Sequence, residues 1–428
     1  MNQISPKERG ESDVFDIGFG PMVPDQKTMR TGHVPVGVYF SEERFAIERQ
    51  VFRRSWLCLG RVEEIPRQGD WLVQDIAIAS TSVLVVRGRD DRIRAFHNMC
   101  SHRGTRLVWG EKGNAARFVC PYHAWTFGTD GALHGLPASE CFPDIDRDSS
   151  ALKPIAAELW EGFIFVNLEE NPSVSLSRFL GPVATMLAGA PFGEYSLACR
   201  LSGPMRANWK LSVESQSEAY HVQTLHRLTA KDFVSSRQDP FGHYFGRQSL
   251  GAHRRASSPR NLDYAPDPGK PIQTLAFGSL PHMFLRDADD PGGPFAKTDI
   301  NRAKAANWGV ELFQIFPNFG LDISYNGFWC TLAWPVTAET CIWEARYYFR
   351  EPRTRRERFG TEGALAFNRD TLLEDVVCCE KQQEMMRSGG RAFIQFGENE
   401  YILRHEAAVW QAVADRLAQP APTPEMAG

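Results

Sequence analysis

Two short stretches of the chain each pair one thiol with one imidazole. Asn98–Gly104 reads NMCSHRG and Cys120–Trp125 reads CPYHAW, which gives C-x-H, a gap of 17 residues, then C-x-x-H. Thiolate and imidazole donors suit zinc or iron. A two-cysteine, two-histidine zinc finger would run Cys-Cys and then His-His, with a helix carrying the histidines. Here Cys100 with His102 and Cys120 with His123 divide the donor types evenly.

A Rieske [2Fe–2S] centre needs that mixture, because two cysteines hold one iron and two histidines hold the other. One Cys and one His per loop lets two loops clamp a cluster from opposite sides. Gly104 permits a tight backbone approach, and Pro121 stiffens the second loop. A cluster of this kind moves one electron and makes or breaks no carbon bond.

The stretch NWKLSVESQSEAYHVQTLH, from Asn208 to His226, carries a second constellation. Glu218 lies three residues before His221, which puts both on one helix face. His226 lies five after His221, about 140° round an ideal helix. A helix must therefore end or distort near Val222–Leu225 if both imidazoles are to reach one metal. Two histidines and one carboxylate form the facial triad of non-heme Fe(II) oxygenases, with three positions left open. The carboxylate is expected on a distant helix, and FNRDTLLEDVVCCEKQQ, which reads as one, offers Asp370, Glu374 and Asp375 as competing choices. Asp375, Cys379 and Gln382 share one face of that predicted helix, while Val376 and Val377 turn towards packing.

The elements that position these residues divide the chain into 1–56, an arm and a helix; 57–168, short strands; and 169–428, mixed helix and strand. Ser41 caps a helix over SEERFAIERQVFRRSW, with Glu42 and Glu43 in its first turn. WLVQDIAIA, TSVLVVRG, IRAFHN and GFIFVNL read as strands, with the two Cys-His pairs on loops between them. SLSRFLGPVATMLAG reads as one helix. From His253 to Trp308 the sequence is polar and rich in Pro and Gly, and reads as loops and short elements covering a pocket. His97 and His134 are ordinary loop residues.

A chain of 428 residues is long enough for two or three domains, and its net charge of −4 gives no sign of a nucleic-acid binder. It contains no apolar run of 18 residues and no signal-peptide h-region, so a cytoplasmic protein with no membrane span is expected. Nine cysteines without framework spacing point to reduced thiols. No G-x-G-x-x-G follows a strand, and no ferredoxin run C-x4-C-x2-C occurs, so electrons must come from another protein.

CSHRGTRL followed by CPYHAWTFGTDGALHGLP resembles the cluster motif of Rieske non-heme iron oxygenase α subunits, and the likeness runs from about Val36 to Gln383. The resemblance implies an α+β chain: an all-β N-terminal Rieske [2Fe–2S] domain, then a catalytic domain whose antiparallel sheet wraps on a long helix (helix-grip, START-like). It implies that Cys100, His102, Cys120 and His123 hold the cluster, and that His221, His226 and Asp375 hold mononuclear Fe(II). Glu218 would bridge His221 to His123 of the partner subunit in a homotrimer, with Tyr220 and Asn208 close to the iron. Trp209 and Lys210 are ordinary packing and solvent-exposed residues. A NAD(P)H-dependent reductase is the implied partner; whether a ferredoxin stands between them and whether a small β subunit joins the trimer are left open.

The main expectation is mono- or cis-dihydroxylation of an aromatic or polycyclic apolar substrate, in a pocket lined by the strands around NGFWCTLAW. The alternative is a monooxygenase acting on a quaternary ammonium, N-methyl or O-methyl compound. It arises because Glu218 stands where many aromatic-ring dioxygenases have Asp, as in members that oxidise quaternary ammonium compounds. The rivals are a Rieske electron carrier, which needs only about 100 residues, and a zinc-stabilised binding protein.

Overall fold

The computed structural model describes residues 32–279 and 293–418. The expected N-terminal arm lies largely outside the described residues. Helix α1 (Glu42–Arg54) is capped by Ser41, whose hydroxyl accepts the Arg44 N–H. It buries Phe45, Val51 and Phe52.

From Leu57 to Asn167 the chain forms a seven-stranded antiparallel sheet. Its spatial order is Leu57–Arg61, Phe163–Asn167, Pro154–Trp160, Ile93–His97, Thr81–Arg87, Asp70–Ile76 and Lys112–Asn114. Thr81–Arg87 shows why this sequence is a strand. Successive side chains leave opposite faces, and both faces are covered. Val83 and Val85 enter the main core of the molecule. Leu84 and Val86 enter a smaller core with Cys100, Cys120, Phe127 and Trp125. A three-stranded sheet, Phe118–Val119, Thr126–Phe127 and Leu133–Gly135, lies over that smaller core. His97 ends the strand Ile93–His97 and His134 sits in Leu133–Gly135, so both lie on strands rather than loops.

The expected single helix after Glu169 is two, α2 (Leu176–Leu180) and α3 (Pro182–Met186). Gly181, at φ +50°, and Pro182 separate them, because the Pro ring forbids a continuous helix. A second seven-stranded antiparallel sheet follows, in the order Ser196–Met205, Thr340–Phe349, Gly327–Thr337, Phe319–Ser324, Trp308–Ile315, His253–Pro259 and Phe245–Leu250. His253–Pro259 lay in the stretch read as loops, yet it is a fully buried inner strand. Its sequence HRRASSP hides the strand because its charges are neutralised by partners distant in sequence: Arg254 by Glu406, and Arg255 by Glu311 and Asp299.

Helices α4 (Trp209–Ser215), α5 (Val222–Leu225) and α6 (Pro271–Phe277) precede the 33-residue α7 (Arg355–Arg387), about 50 Å long at 1.5 Å per residue. Helix α7 turns one face inward, carrying Gly360, Ala364, Leu372, Asp375, Cys379 and Gln383. The expected packing residue Val377 is 62% exposed, and Gln383 rather than Gln382 is the buried glutamine. Helix α8 (Tyr401–Ala418) closes the fold. Among the described residues no helix is long and apolar enough to cross a membrane.

Candidate active site

The two Cys-His loops have one backbone design. Cys100 N–H donates to Thr105 O and Gly104 N–H to Cys100 O; Cys120 N–H donates to Trp125 O and Ala124 N–H to Cys120 O. Each loop turns through a left-handed residue at its fifth position, Gly104 at φ +76° and Ala124 at φ +57°. Cys100 and Cys120 are buried without a disulfide. Ring centroids of His102 and His123 are 4.6 Å apart, and His102 stacks on Trp125 at 4.7 Å. Both Nδ1 atoms are buried and have no hydrogen-bond partner.

Two orphaned imidazole nitrogens beside two buried thiols fit a metal group. Burial raises the Cys100 thiol, and neighbouring Cys120 adds to the rise; a metal reverses this by taking thiolates. Burial and the adjacent His123 lower His102, which leaves the neutral ring that ligation requires. Donors around one zinc lie about 3.5 Å apart, given bonds of 2.0–2.3 Å. Yet among the described residues only His221, His226 and Asp375 bring three such donors within 4.8 Å of one another. The loop donors therefore do not converge on a single ion, which opposes the zinc reading and fits a two-iron cluster.

The second constellation assembles where α4 stops. Asn208 caps α4, its Oδ1 accepting the Lys210 N–H, and the helix ends at Ser215. After a turn, α5 makes a single turn of four residues and ends at His226. The chain thus leaves helical geometry before His221 and again at His226, while Val222–Leu225, where the spacing placed the break, is itself the helical turn between the two histidines. His221 Nε2 and His226 Nε2 are 3.1 Å apart, and Asp375 Oδ1 lies 3.4 Å from the first and 3.3 Å from the second. Three donors on one face of an octahedral iron, at about 2.1 Å, are about 3 Å apart, so the triangle has the required size. Asp375 Oδ1 is buried and has no hydrogen-bond donor.

Each corner is held from behind. Glu218 Oε1 accepts from His221 Nδ1. Glu374 Oε2 accepts from His226 Nδ1 at 2.7 Å and from Thr229 Oγ1 at 2.7 Å. Gln216 Nε2 donates to Asp375 Oδ2 at 2.9 Å. Burial opposes the His221 imidazolium, but the Glu218 hydrogen bond and charge, with Asp375, outweigh it and raise His221. Glu374 competed with Asp375 as a ligand in the sequence; here it orients His226. Gln216 escaped notice, because its role depends on how α4 and α7 pack.

Two expected site residues are elsewhere. Tyr220 is 52% exposed, with its ring against Phe241 at 5.4 Å; only its backbone N–H joins the site, donating to Glu218. Asn208 is buried, donates Nδ2 to Ala338 O, and donates its backbone N–H to Gln383 Oε1. It fastens α4 to α7 and does not line the cavity at the triad. Lys210 is buried and paired with Glu48, not solvent-exposed; Trp209 Nε1 donates to the other Glu48 oxygen.

A cavity of about 160 Å³ opens beside His221, His226 and Asp375. Its walls include Phe233, Tyr244, Val310, Leu312, Trp329 and Tyr347, with Asp322 among them. Of the aromatic residues of NGFWCTLAW, only Trp329 lines it, while Phe328 and Trp334 are core.

Fold and site together define a Rieske-type non-heme iron oxygenase α subunit. Residues 191–416 match the family described as ring hydroxylating alpha subunit (catalytic domain), and residues 55–150 match the Rieske [2Fe-2S] domain. The chain belongs to this family, whose members carry a [2Fe–2S] cluster and a mononuclear iron.

The chain is 37% identical over 194 residues to the glycine betaine monooxygenase oxygenase subunit of Pseudomonas aeruginosa (strain UCBPP-PA14), covering 45% of this chain and 44% of that protein. It is 34% identical over 195 residues to the carnitine monooxygenase oxygenase subunit of Escherichia coli (strain K12), covering 45% of this chain and 52% of that one. The match thus spans about half the length of these relatives. Among solved structures, a quaternary ammonium Rieske monooxygenase in complex with γ-butyrobetaine superposes with TM-score 0.70 at 22% identity, over 92% of this chain and 97% of that one. Naphthalene 1,2-dioxygenase from Rhodococcus sp. gives TM-score 0.72 at 18% identity, over 91% and 95%. At these identities the likeness is one of fold.

Proposed function

We propose that this chain is the oxygenase component of a multicomponent system that oxidises an N-methylated ammonium compound with O2 and electrons from a NAD(P)H-dependent reductase. The observation that carries the oxygenase reading is the triangle of His221 Nε2, His226 Nε2 and Asp375 Oδ1, each corner backed by Glu218, Glu374 or Gln216, at the edge of a cavity. Cys100, His102, Cys120 and His123 would hold the cluster, and His221, His226 and Asp375 the iron. Bound there, the cluster supplies electrons and the iron supplies O2 activation.

The protein's own work is orientation. Glu218 and Glu374 fix both rings with Nε2 forward. Val310, Leu312 and Phe233 give the cavity an apolar wall beside the triad. One oxygen atom enters a C–H bond next to nitrogen and the other leaves as water, with two electrons and two protons consumed.

The alternative drawn from Glu218 displaces the aromatic expectation. The two relatives described above bear the names of quaternary ammonium substrates, glycine betaine and carnitine. A cavity of about 150 Å³ takes one benzene, so about 160 Å³ suits a trimethylammonium head better than fused rings.

The working assembly is a homotrimer in which Glu218 reaches His123 of the partner subunit. Within one chain, among the described residues, no hydrogen bond or ring contact joins His102 or His123 to the triad. A ferredoxin and a small β subunit are optional partners, and the cytoplasm is the compartment.

The test mixes iron-loaded protein with a family reductase, NADH and O2, and offers N-methyl cations or naphthalene. The expected result is O2-dependent product from an N-methyl cation and none from naphthalene. No product from any substrate, with both metal sites filled, would contradict the proposal.

A further inference from the structure

We infer that the cavity at the triad is a cation site built around Asp322, and that its substrate is an N-methylated ammonium ion carrying no carboxylate. This rests on the oxygenase reading only for what happens after binding.

Asp322 sits in the middle of the strand FGLDIS, between Leu321 and Ile323, which are both fully buried. It is 1% exposed and lines the cavity. Trp329 lies directly opposite on the neighbouring strand, and its indole N–H donates to the carboxylate. The other oxygen, Oδ1, is buried with no hydrogen-bond partner. Among the described residues lining the cavity there is no Lys or Arg.

A buried carboxylate with one empty oxygen and no counter-ion costs several kcal/mol. Burial also pushes its carboxyl well above the usual range. Packing alone would favour an apolar residue here, since the cross-strand partners on its own face, Leu312 and Trp329, are apolar. A bound cation removes the cost by supplying the missing charge.

The walls suit that cation. Trp329, Tyr347 and Tyr244 present aromatic rings around Asp322. Aromatic faces hold methylated ammonium groups by cation–π attraction, worth roughly 2 kcal/mol when desolvated. A substrate carboxylate finds no such welcome. At the Asp322 end of the cavity it would meet a second carboxylate with no Lys or Arg among the described lining residues, and like charges brought together disfavour the wrong partner. Glycine betaine and carnitine both carry a carboxylate, so this chain departs from those two relatives in substrate.

The experiment is calorimetric titration of the full, metal-loaded chain with choline, with glycine betaine, and with 3,3-dimethylbutan-1-ol, the uncharged carbon analogue of choline. Choline should bind about 10-fold or more tighter than either of the others. Asp322→Asn should erase that margin and leave the affinity for the uncharged analogue within about 2-fold, which also reports an intact cavity. Equal binding of choline and its uncharged analogue by the wild-type protein overturns the inference without any variant. So does choline affinity unchanged by Asp322→Asn, which would make Asp322 a neutral hydrogen-bond donor, or glycine betaine binding as tightly as choline. Binding is read without turnover, so the two readings fail separately. Choline bound but never oxidised sinks the oxygenase assignment alone, and glycine betaine bound tightly and oxidised sinks the cation site alone.

Discussion

Removing the Glu374 carboxylate should loosen iron without touching its ligands. His226 is 2% exposed, and its Nδ1–H has one acceptor, Glu374 Oε2 at 2.7 Å. The same oxygen accepts Thr229 Oγ1. In Glu374→Ala the buried N–H loses its partner, a cost of about 1–3 kcal/mol, and the ring loses the restraint that aims Nε2 at Asp375 Oδ1, 3.3 Å away. Losing such an outer partner lowers metal affinity about 10- to 100-fold. The Glu374 side chain is 26% exposed, so water can replace part of what is lost, and about 10-fold is the expected value. Glu374→Gln keeps a carbonyl acceptor and should stay within about 3-fold of wild type. Asp375→Ala removes a ligand and should lose far more. The assay is anaerobic chelator competition for Fe(II) at pH 7, with the visible absorbance of the cluster as an internal control. Glu374→Ala within about 2-fold of wild type, or Asp375→Ala retaining iron, would refute the reasoning.

Glu218→Gln should bind both metals and accept electrons from the reductase, yet fail to pass them on, because an N–H donor replaces an acceptor between two imidazoles. Cluster reoxidation at the wild-type rate on adding substrate and O2 would reduce Glu218 to a structural carboxylate. Acid should destabilise the fold through His253, which donates Nε2–H to Phe179 O and accepts the Phe316 N–H on Nδ1. Burial lowers this ring to about 4, with Arg254 adding to the effect against the Phe179 hydrogen bond. The unfolded chain binds its proton near the ordinary value, so stability is full above about pH 6.5 and falls with pH towards 4, by roughly 2 kcal/mol at pH 5. Imidazole nitrogen resonances showing His253 neutral at pH 5 are expected, and titration near 6.5 would contradict this.

What could be read from sequence follows how local each interaction is. The cluster loops were legible because their donors lie within 24 residues and each loop closes its own hydrogen bonds. His221 and His226 were legible for the same reason, but the break was not: the residues between them are a helical turn, and the chain departs from helix before His221 and at His226. Asp375, 149 residues beyond His226, emerged from three nearby carboxylates only through a family resemblance. Gln216 and Glu374 were not legible as supports, since their partners are set by the packing of α4 on α7. Tyr220 was misplaced because the turn after Ser215 swings its ring outward. Asn208 carried a readable signal that was passed over: an Asn just before an apolar helix is a cap. Asp322 carried one too, an acid inside an otherwise apolar strand.

The most direct test of the central claim, that one chain carries a two-iron cluster and a separate iron site, is analysis of iron and acid-labile sulfide in anaerobically purified protein. The account predicts about three irons and two sulfides per chain, falling to about two irons with unchanged sulfide in Asp375→Ala. Zinc in place of iron, or a loss of sulfide in Asp375→Ala, would contradict it.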